Sequence, residues 1–256
     1  MARLARDPRA RRREGVWVAE GVRLAEEVIR EGLPVRLWVL EEGWEGSGAR
    51  AAAVGARIRE RGDPVMHVRR GLLREVADTR TPQGVVVAFG APSWPRGAAL
   101  RGMRPVVVLD RVQDPGNLGT IARTAEAAGC SGLVLTPGCA DPGSPKALRA
   151  SAGSLLRLPA ERCEHPPEDL AARGVPLAAT VRSGGAPPDA LDLSGRFALL
   201  LGQEGAGLDP ALEAAASVRI TVPMEGRVES LNVAATAAVV LFEAQRQRRA
   251  ARAPAP

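Results

Sequence analysis

Two hydrophobic periods alternate along the chain. Short runs of β-branched and aliphatic residues, typical of buried strands, are separated by stretches in which apolar residues recur every three or four positions, as in amphipathic helices. This alternation predicts an α/β protein in which helices are layered on sheets. The predicted strands are Val35–Leu40, Val65–Val68, Gly84–Phe89, Val106–Leu109, Gly132–Leu135, Leu177–Val181, Phe197–Leu201 and Val218–Val222.

The predicted helices differ in the arrangement of their apolar residues. Residues 19–31 carry a single apolar face, formed by Val22, Ala25, Val28 and Ile29. Gly32 is predicted to end this helix. Further helices are predicted near 49–61 and 70–77. The last helix, from about Leu231 to Arg248, is apolar on nearly all sides, which predicts burial, partly against another subunit.

A stretch without periodicity divides the chain. Residues 90–104 are rich in Gly and Pro and read as a linker. We therefore expect an N-terminal domain at 1–92, a linker at 93–104 and a second α/β domain at 105–256. The N-terminal residues MARLARDPRARRREG lack the apolar core of a secretory signal and are expected to form a short polar arm. The basic C-terminal residues RQRRAARAPAP are expected to fray.

Composition narrows the class of protein. Apolar residues make up 45% of the chain, which suits a globular fold, and no apolar run approaches the roughly 18 residues of a membrane span. Cys130, Cys139 and Cys163 form no CxxC pair, and the chain has only two histidines. We expect reduced thiols in a soluble, cytoplasmic protein, with neither a metal site nor a disulfide framework.

The charge of the chain is compatible with an RNA partner. The net charge is +6, and Lys146 is the only lysine among the cations. Arginine binds phosphate bidentately and stacks on bases. A GC-rich genome would also replace lysine by arginine, so the charge alone leaves both interpretations open. The absence of Tyr, with three Phe and four Trp, weakens a mode of binding that relies on base stacking.

Three loops carry candidate chemistry, and the first follows the strand Val106–Leu109. Asp114-Pro115-Gly116-Asn117 is a turn sequence, and the helix after it brings Arg123 about one and a half turns beyond Asn117. Open α/β sheets bind ligands over the carboxyl ends of their strands. The alternative is a plain strand-to-helix turn with Asn117 near an N-cap.

The other two loops are weak signals when taken singly. LLLGQEGAGL (199–208) is a strand that runs into a glycine-rich loop, and it fits neither a Walker motif nor the dinucleotide motif GxGxxG. Glu204 in this loop is either functional or a solvated turn residue. In VPMEGRVESLNVAATAAVVLFE (222–243), Ser230 could cap the last helix, with Asn232 in its first turn.

In this order, the three loops resemble the three sequence motifs of the SpoU (TrmH-like) branch of the SPOUT RNA methyltransferases. The stretches DPGNLGTIARTAEAAG, LLLGQEGAGL and VPMEGRVESLNVAATAAVVLFE carry the resemblance. The segments VAEGVRLAEEVIREG and ADTRTPQGVVVAF (77–89) resemble the family's small N-terminal domain. The resemblance implies a C-terminal SPOUT-type α/β domain with a deep trefoil knot, preceded by a small α/β ribosomal-protein-like RNA-binding domain.

The resemblance also implies a cofactor, a reaction and a homodimer that shares active-site residues. It places S-adenosyl-L-methionine (AdoMet) at the knot, on Gly202, Val222 and Leu231, with Gly205 and Met224 nearby and Thr180 as a weaker candidate. The catalytic residues would be Arg123, with Asn117 and Ser230 to position the ribose 2′-hydroxyl or Arg123, and Glu204 and Asn232 to organise the site. Arg123 would either lose a proton transiently or hold the ribose phosphate while solvent takes the proton.

Ribosomal RNA of the 23S type is the expected substrate, and tRNA is the second choice. A methyltransferase that confers antibiotic resistance is a subset of this hypothesis. The alternative function is an RNA-binding or ribosome-assembly protein with a relic methyltransferase domain. That alternative predicts damage at the five catalytic positions, and all five are intact. A nucleotide-dependent dehydrogenase would need a dinucleotide fingerprint, which is missing.

Overall fold

The computed structural model describes residues 1–75, 79 and 81–252. The helices, in chain order, are α1 (Ala2–Arg6), α2 (Pro8–Glu14), α3 (Val22–Arg30), α4 (Ala49–Arg61), α5 (Pro115–Ala127), α6 (Pro145–Ser151), α7 (Ser154–Arg157), α8 (Pro166–Ala171), α9 (Pro210–Ala214) and α10 (Val233–Ala250). The strands are β1 (Val16–Glu20), β2 (Val35–Glu41), β3 (Val65–Val68), β4 (Val85–Gly90), β5 (Val106–Leu109), β6 (Leu133–Leu135), β7 (Ala160–Arg162), β8 (Leu177–Thr180), β9 (Ala198–Leu201) and β10 (Val218–Ile220). These elements confirm the predicted α/β fold.

The contacts between residues divide the chain into two compact units. The first unit combines Met1–Ser93 with Asp141–Arg157, and the second combines Trp94–Ala140 with Leu158–Pro256. This grouping differs from contiguous domains at 1–92 and 105–256 because it assigns α6 and α7 to the first unit. The contiguous division with its linker at 93–104 stays a prediction.

The first unit is built on a four-stranded sheet with strand order β1-β4-β2-β3. The β1–β4 and β4–β2 pairs are antiparallel, and β2 pairs with β3 in parallel. All five residues of β1 are buried, and the strand contacts α1, α2, α3 and α6. Sequence analysis missed β1 and assigned its last residues to a helix from residue 19. Gly21, with φ of 98°, separates the strand from α3, and VWVAE shows no alternation because both faces are covered.

The predicted N-terminal polar arm is wrong, since these residues form α1 and α2. Asp7 caps α2 by accepting a hydrogen bond from the backbone N–H of Arg9 at 2.8 Å. Arg11 is only 2% exposed, and its Nη2 lies 2.6 Å from Oδ2 of Asp141. A buried guanidinium needs such a partner, because an unpaired charge in the interior is costly. The partner lies 130 residues away along the chain, so local sequence patterns could not reveal it.

Several other boundaries were predicted closely. The strands at Val65–Val68 and Val106–Leu109 and the helix at 49–61 are confirmed. Gly32 follows α3 with a φ of 61°, as expected of a residue that ends a helix. The predicted helix at 70–77 is a short 3-10 helix, Leu72–Glu75; residues 76–77 lie outside the described part of the chain, as do 78 and 80 of the segment 77–89.

The second unit is built on a six-stranded parallel sheet with strand order β10-β8-β9-β5-β6-β7. The two central strands, β5 and β9, are fully buried, which explains their continuous apolar sequences. The edge strand β7 was missed because its sequence, AER, is short and charged. In a parallel sheet all carboxyl ends lie at one edge, so the loops after β5, β8, β9 and β10 meet there.

The last helix closes the second unit. Helix α10 packs against α5 and begins at Val233, two residues later than predicted. Val240, Leu241 and Ala244 are among its buried residues, whereas Val239 and Phe242 remain 42% and 47% exposed. Residues 253–256 of the expected frayed tail lie outside the described residues. Among the helices that the structure describes, none is both long enough and apolar enough to cross a membrane.

Candidate active site at the carboxyl ends of the parallel strands

A cleft of about 340 Å³ lies among the loops that follow β8, β9 and β10. Eight of the eleven predicted site residues line it: Thr180, Gly202, Glu204, Val222, Met224, Ser230, Leu231 and Asn232. The other three, Asn117, Arg123 and Gly205, lie outside the lining. The lining combines apolar side chains with a few polar groups, as is usual for small-molecule sites.

Gly202 allows the loop after β9 to fold back on itself. The backbones of Gln203 and Gly207 exchange two hydrogen bonds, with N–O distances of 3.1 and 2.9 Å. A Cβ at Gly202 would lie 2.3 Å from the carbonyl carbon of Gly207 and 2.4 Å from the nitrogen of Leu208. No side chain fits between these backbone atoms. The glycine therefore keeps the wall of the cleft thin and leaves its backbone available to a ligand.

Polar side chains from all three candidate loops are joined in one hydrogen-bonded chain. The carboxamide Nδ2 of Asn117 donates to Oε1 of Glu204. Nδ2 of Asn232 donates to Oδ1 of Asn117 at 3.1 Å. Glu204 and Asn232 are exposed at the cleft, and Asn117 is half-buried behind them. The fold thus assembles residues that are 115 positions apart into one polar cluster.

The helix caps near this cluster differ from the predicted ones. Asn232 is itself the N-cap of α10, because its Oδ1 accepts from the backbone N–H of Ala234 at 2.9 Å. The prediction that Ser230 caps this helix is wrong, and its side chain is free to face the cleft as an exposed lining residue. Asp114, rather than Asn117, caps α5, and Pro115 and Asn117 lie in the first turn of that helix.

Arg123 lies on α5 with its side chain exposed. Along the helix it is about 9 Å beyond Asn117, at 1.5 Å per residue. The cation among the lining residues is instead Arg182, whose Nη2 donates to the carbonyl oxygen of Gly205 at 2.9 Å. Sequence analysis missed Arg182, although it follows β8 at the same edge of the sheet as Thr180.

A buried carboxylate, also missed, ties the loops together beneath the cleft. Asp110 is 3% exposed and follows β5 directly. It accepts hydrogen bonds from the backbone N–H of Asp209 (2.7 Å), Oγ1 of Thr136 (3.1 Å) and Nη2 of Arg111 (2.9 Å). Arg111 has a φ of 55°, which is rare for a residue with a side chain. Asp110 therefore connects the chain after β5 to β6 and to the end of the loop that carries Glu204.

We expect Asp110→Ala to destabilise the second unit by about 2–4 kcal/mol, because it leaves three donors without their acceptor; the loss is below that of a fully buried pair because Arg111 reaches water. Urea unfolding would measure the loss. Asp192→Ala is the matched control, since Asp192 is exposed and bonds only Ser194, and it should cost less than about 1 kcal/mol. Equal losses in the two variants would contradict this role of Asp110.

The three cysteines are free, and each thiol is held in its protonated form. Burial raises the pKa of Cys130 to about 12, and that of Cys163 to about 11 with help from a hydrogen bond to Asp169. Burial also raises the pKa of Cys139. Thiols in this state are poor nucleophiles and poor ligands at neutral pH. Among the described residues, no group of three His, Cys, Asp or Glu side chains is placed to hold a metal ion.

Two family models match the chain. The SpoU rRNA methylase family model matches residues 104–242, and the MRM3-like substrate binding domain matches residues 1–87.

Three characterised or solved proteins are similar to the chain. The 23S rRNA (guanosine(2553)-2′-O)-methyltransferase RlmP of Bacillus subtilis is 41% identical over 169 residues, which are 65% of this chain and 66% of RlmP. The 23S rRNA (uridine(2479)-2′-O)-methyltransferase of Streptomyces viridochromogenes is 32% identical over 93% of this chain and 85% of its own length. The crystal structure of the SpoU methyltransferase AviRb from the same organism, in complex with AdoMet, superimposes with a TM-score of 0.86, at 30% identity, over 97% of this chain and 96% of AviRb.

Proposed function

This chain belongs to the SpoU rRNA methylase family, and from that membership we propose that it transfers a methyl group from AdoMet to the 2′-hydroxyl of one ribose in 23S-type ribosomal RNA. The observation that carries the proposal is the joining of Asn117, Glu204 and Asn232 beside the cleft. Transfer RNA is the second choice of substrate. The match of residues 1–87 to a substrate-binding domain and the two relatives named for 23S rRNA favour ribosomal RNA.

The cleft fits AdoMet in size and in chemistry. Its volume of about 340 Å³ is within the range of small-molecule sites. The apolar side chains of Val222, Met224 and Leu231 offer a surface for the adenine ring. The backbone around Gly202 offers hydrogen-bonding groups that no side chain screens. Glu229, which also lines the cleft, provides negative charge for the cationic methionine end.

The residues of this chain would mainly align the reacting groups. AdoMet supplies a methyl group that its sulfonium already activates. The chain Asn117–Glu204–Asn232 fixes the entrance of the cleft, and the Ser230 hydroxyl is placed to bind the ribose 2′-hydroxyl. A guanidinium keeps its proton at neutral pH. We therefore assign Arg123 to holding the phosphate next to the target ribose, with water accepting the hydroxyl proton.

We further propose a homodimer in which Arg123 serves the cleft of the partner subunit. Arg123 lies outside the lining of the cleft in its own chain and is exposed on α5. Helix α10, which packs on α5, exposes Val239 and Phe242, and large exposed apolar side chains on one helix suit a subunit interface. The site would then be complete only when two chains associate.

The proposed trefoil knot concerns the route of the last segment. After β10, at the edge of the sheet, the chain passes the ends of β8 and β9 along the cleft and continues into α10, which packs on α5. We propose that this segment threads through the loop after β8, as the family membership implies. As an enzyme of ribosomal RNA, the protein would act in the cytoplasm.

The test is methyl transfer from labelled AdoMet to unmodified 23S rRNA and to unmodified tRNA transcripts. We expect a single 2′-O-methylated nucleotide in 23S rRNA, located by its resistance to alkaline cleavage. Methylation of tRNA alone would replace the substrate and keep the reaction. AdoMet binding without methylation of either RNA would favour the RNA-binding or assembly protein, and absence of AdoMet binding would refute the enzyme.

A further inference from the structure

Four arginines surround a shallow cavity in the second unit, at the far end of α5 from the cleft. The cavity has a volume of about 310 Å³, and its charged lining residues are Arg104, Arg248, Arg249 and Arg252. No Asp or Glu is among the described residues that line it. These four residues are called the arginine patch below. The end of α5 lies roughly 16 Å from Asn117 along the helix axis, for eleven residues at about 1.5 Å each.

The architecture of the fold accounts for only one of these four cations. Nη2 of Arg248 donates to the carbonyl oxygen of Ala128 at 2.7 Å, which satisfies an unpaired carbonyl at the end of α5. Arg104 makes a long contact of 3.4 Å with the carbonyl oxygen of Gly129. Arg249 and Arg252 are exposed and extend beyond this helix end. The clustering of the other three cations therefore needs another explanation.

The positive charge in the patch is not neutralised by the chain. Burial lowers the pKa of Arg248, and the nearby charges of Arg104 and Arg252 lower it further. Among the described residues, Nη1 of Arg248 is buried and has no hydrogen-bond partner. Like charges held this close repel one another. Such a cluster is stabilised when an anion binds to it.

We propose that the arginine patch binds the phosphate backbone of the RNA substrate, as a contact within the catalytic unit that is separate from the cleft. The inference rests on the proposed function, which makes RNA the partner. Arginine grips phosphate oxygens bidentately, and several arginines in a row suit successive phosphates. A second copy of this chain is a poor occupant, because a two-fold axis would bring two positive patches together.

The test is the salt dependence of binding of a 23S rRNA transcript by the double variant Arg249→Gln/Arg252→Gln. Each phosphate contact that is lost lowers the slope of log Kd against log salt concentration by roughly 0.7–0.9. We expect the slope to fall by about 1 to 2, with weaker RNA binding and unchanged AdoMet binding. Both positions are exposed, so the variant should fold normally, which its melting temperature would verify.

Arg246→Gln is the matched control. Arg246 lies on the same helix, but its guanidinium is paired with Glu243 at 2.8 Å, so its removal should leave the slope unchanged. A slope in the double variant equal to that of this control would overturn the inference, and would leave an acidic protein as the remaining kind of partner. Because the readout is binding, a wild type that binds RNA but does not methylate it would refute the proposed function and leave the patch testable.

Discussion

Arg123→Ala is expected to lower the rate of methyl transfer at saturating substrates by at least about 10²–10³-fold, the usual cost of removing a preorganised group from a reacting centre. The side chain is exposed on α5 and lies outside the lining of its own cleft. Its loss should therefore leave the folded structure and the binding of AdoMet unchanged. Single-turnover methylation and calorimetric titration with AdoMet would measure the two properties separately.

Arg123→Lys separates geometry from charge. Lysine keeps the positive charge but lacks the planar fork of donors, so a site that needs two parallel hydrogen bonds should stay impaired. Recovery of most of the activity in this variant would show that charge alone suffices. A rate in Arg123→Ala within a few-fold of the wild type would remove Arg123 from the mechanism.

Gly202→Ala is expected to weaken AdoMet binding by about 100-fold, since adding one methyl group to a packed site costs about 1–3 kcal/mol and 1.4 kcal/mol is a factor of ten. The upper part of this range applies because the new Cβ would meet backbone atoms of Gly207 and Leu208 at 2.3 and 2.4 Å. Backbone cannot move aside as a flexible side chain can. Equilibrium binding of AdoMet is the measurement.

Gly205→Ala is the control in the same loop. A Cβ at Gly205 would meet nothing within 4 Å, and the residue lies outside the lining of the cleft. The family resemblance named both glycines as cofactor contacts, so the pair separates that expectation from the geometry. AdoMet affinity should be close to that of the wild type in Gly205→Ala, and a loss equal to that of Gly202→Ala would refute the steric argument.

The two inactive variants together address the proposed dimer. If Arg123 serves the partner's cleft, a mixed dimer of Arg123→Ala and Gly202→Ala chains contains one intact site, built from Arg123 of one chain and Gly202 of the other. Co-expression of the two variants should then restore part of the activity. No recovery in a verified mixed dimer would mean that Arg123 acts within its own chain.

The sequence predicted most of what depends on local patterns. Strands such as β3 and β5 and the helix α4 were bounded correctly, because their runs and faces follow directly from burial on a sheet or along a helix. The cleft was predicted as well as it was because motif order, rather than any single residue, identified the loops. Eight of the proposed site residues then fell within one lining.

Features that depend on distant partners escaped prediction. The guanidinium of Arg11 looked like part of a polar arm, since only its pairing with Asp141 requires burial. The carboxylate of Asp110 looked like an ordinary residue at the end of a strand, because its donors come from Thr136 and Asp209. No pattern in one sequence reveals such pairs, whose distance along the chain is unrelated to their distance in space.

The assignment of α6 and α7 to the first unit bears on the order of folding during synthesis. The buried strand β1 packs against α6, Arg11 needs Asp141, and Glu27 pairs with Arg157. A nascent chain that ends near residue 93 therefore lacks part of this core. At ~5–20 residues per second, the ribosome needs about 3 to 13 s more to deliver the missing segment. The N-terminal unit should thus mature only after much of the second unit has begun to emerge, and it should depend on chaperones in that interval.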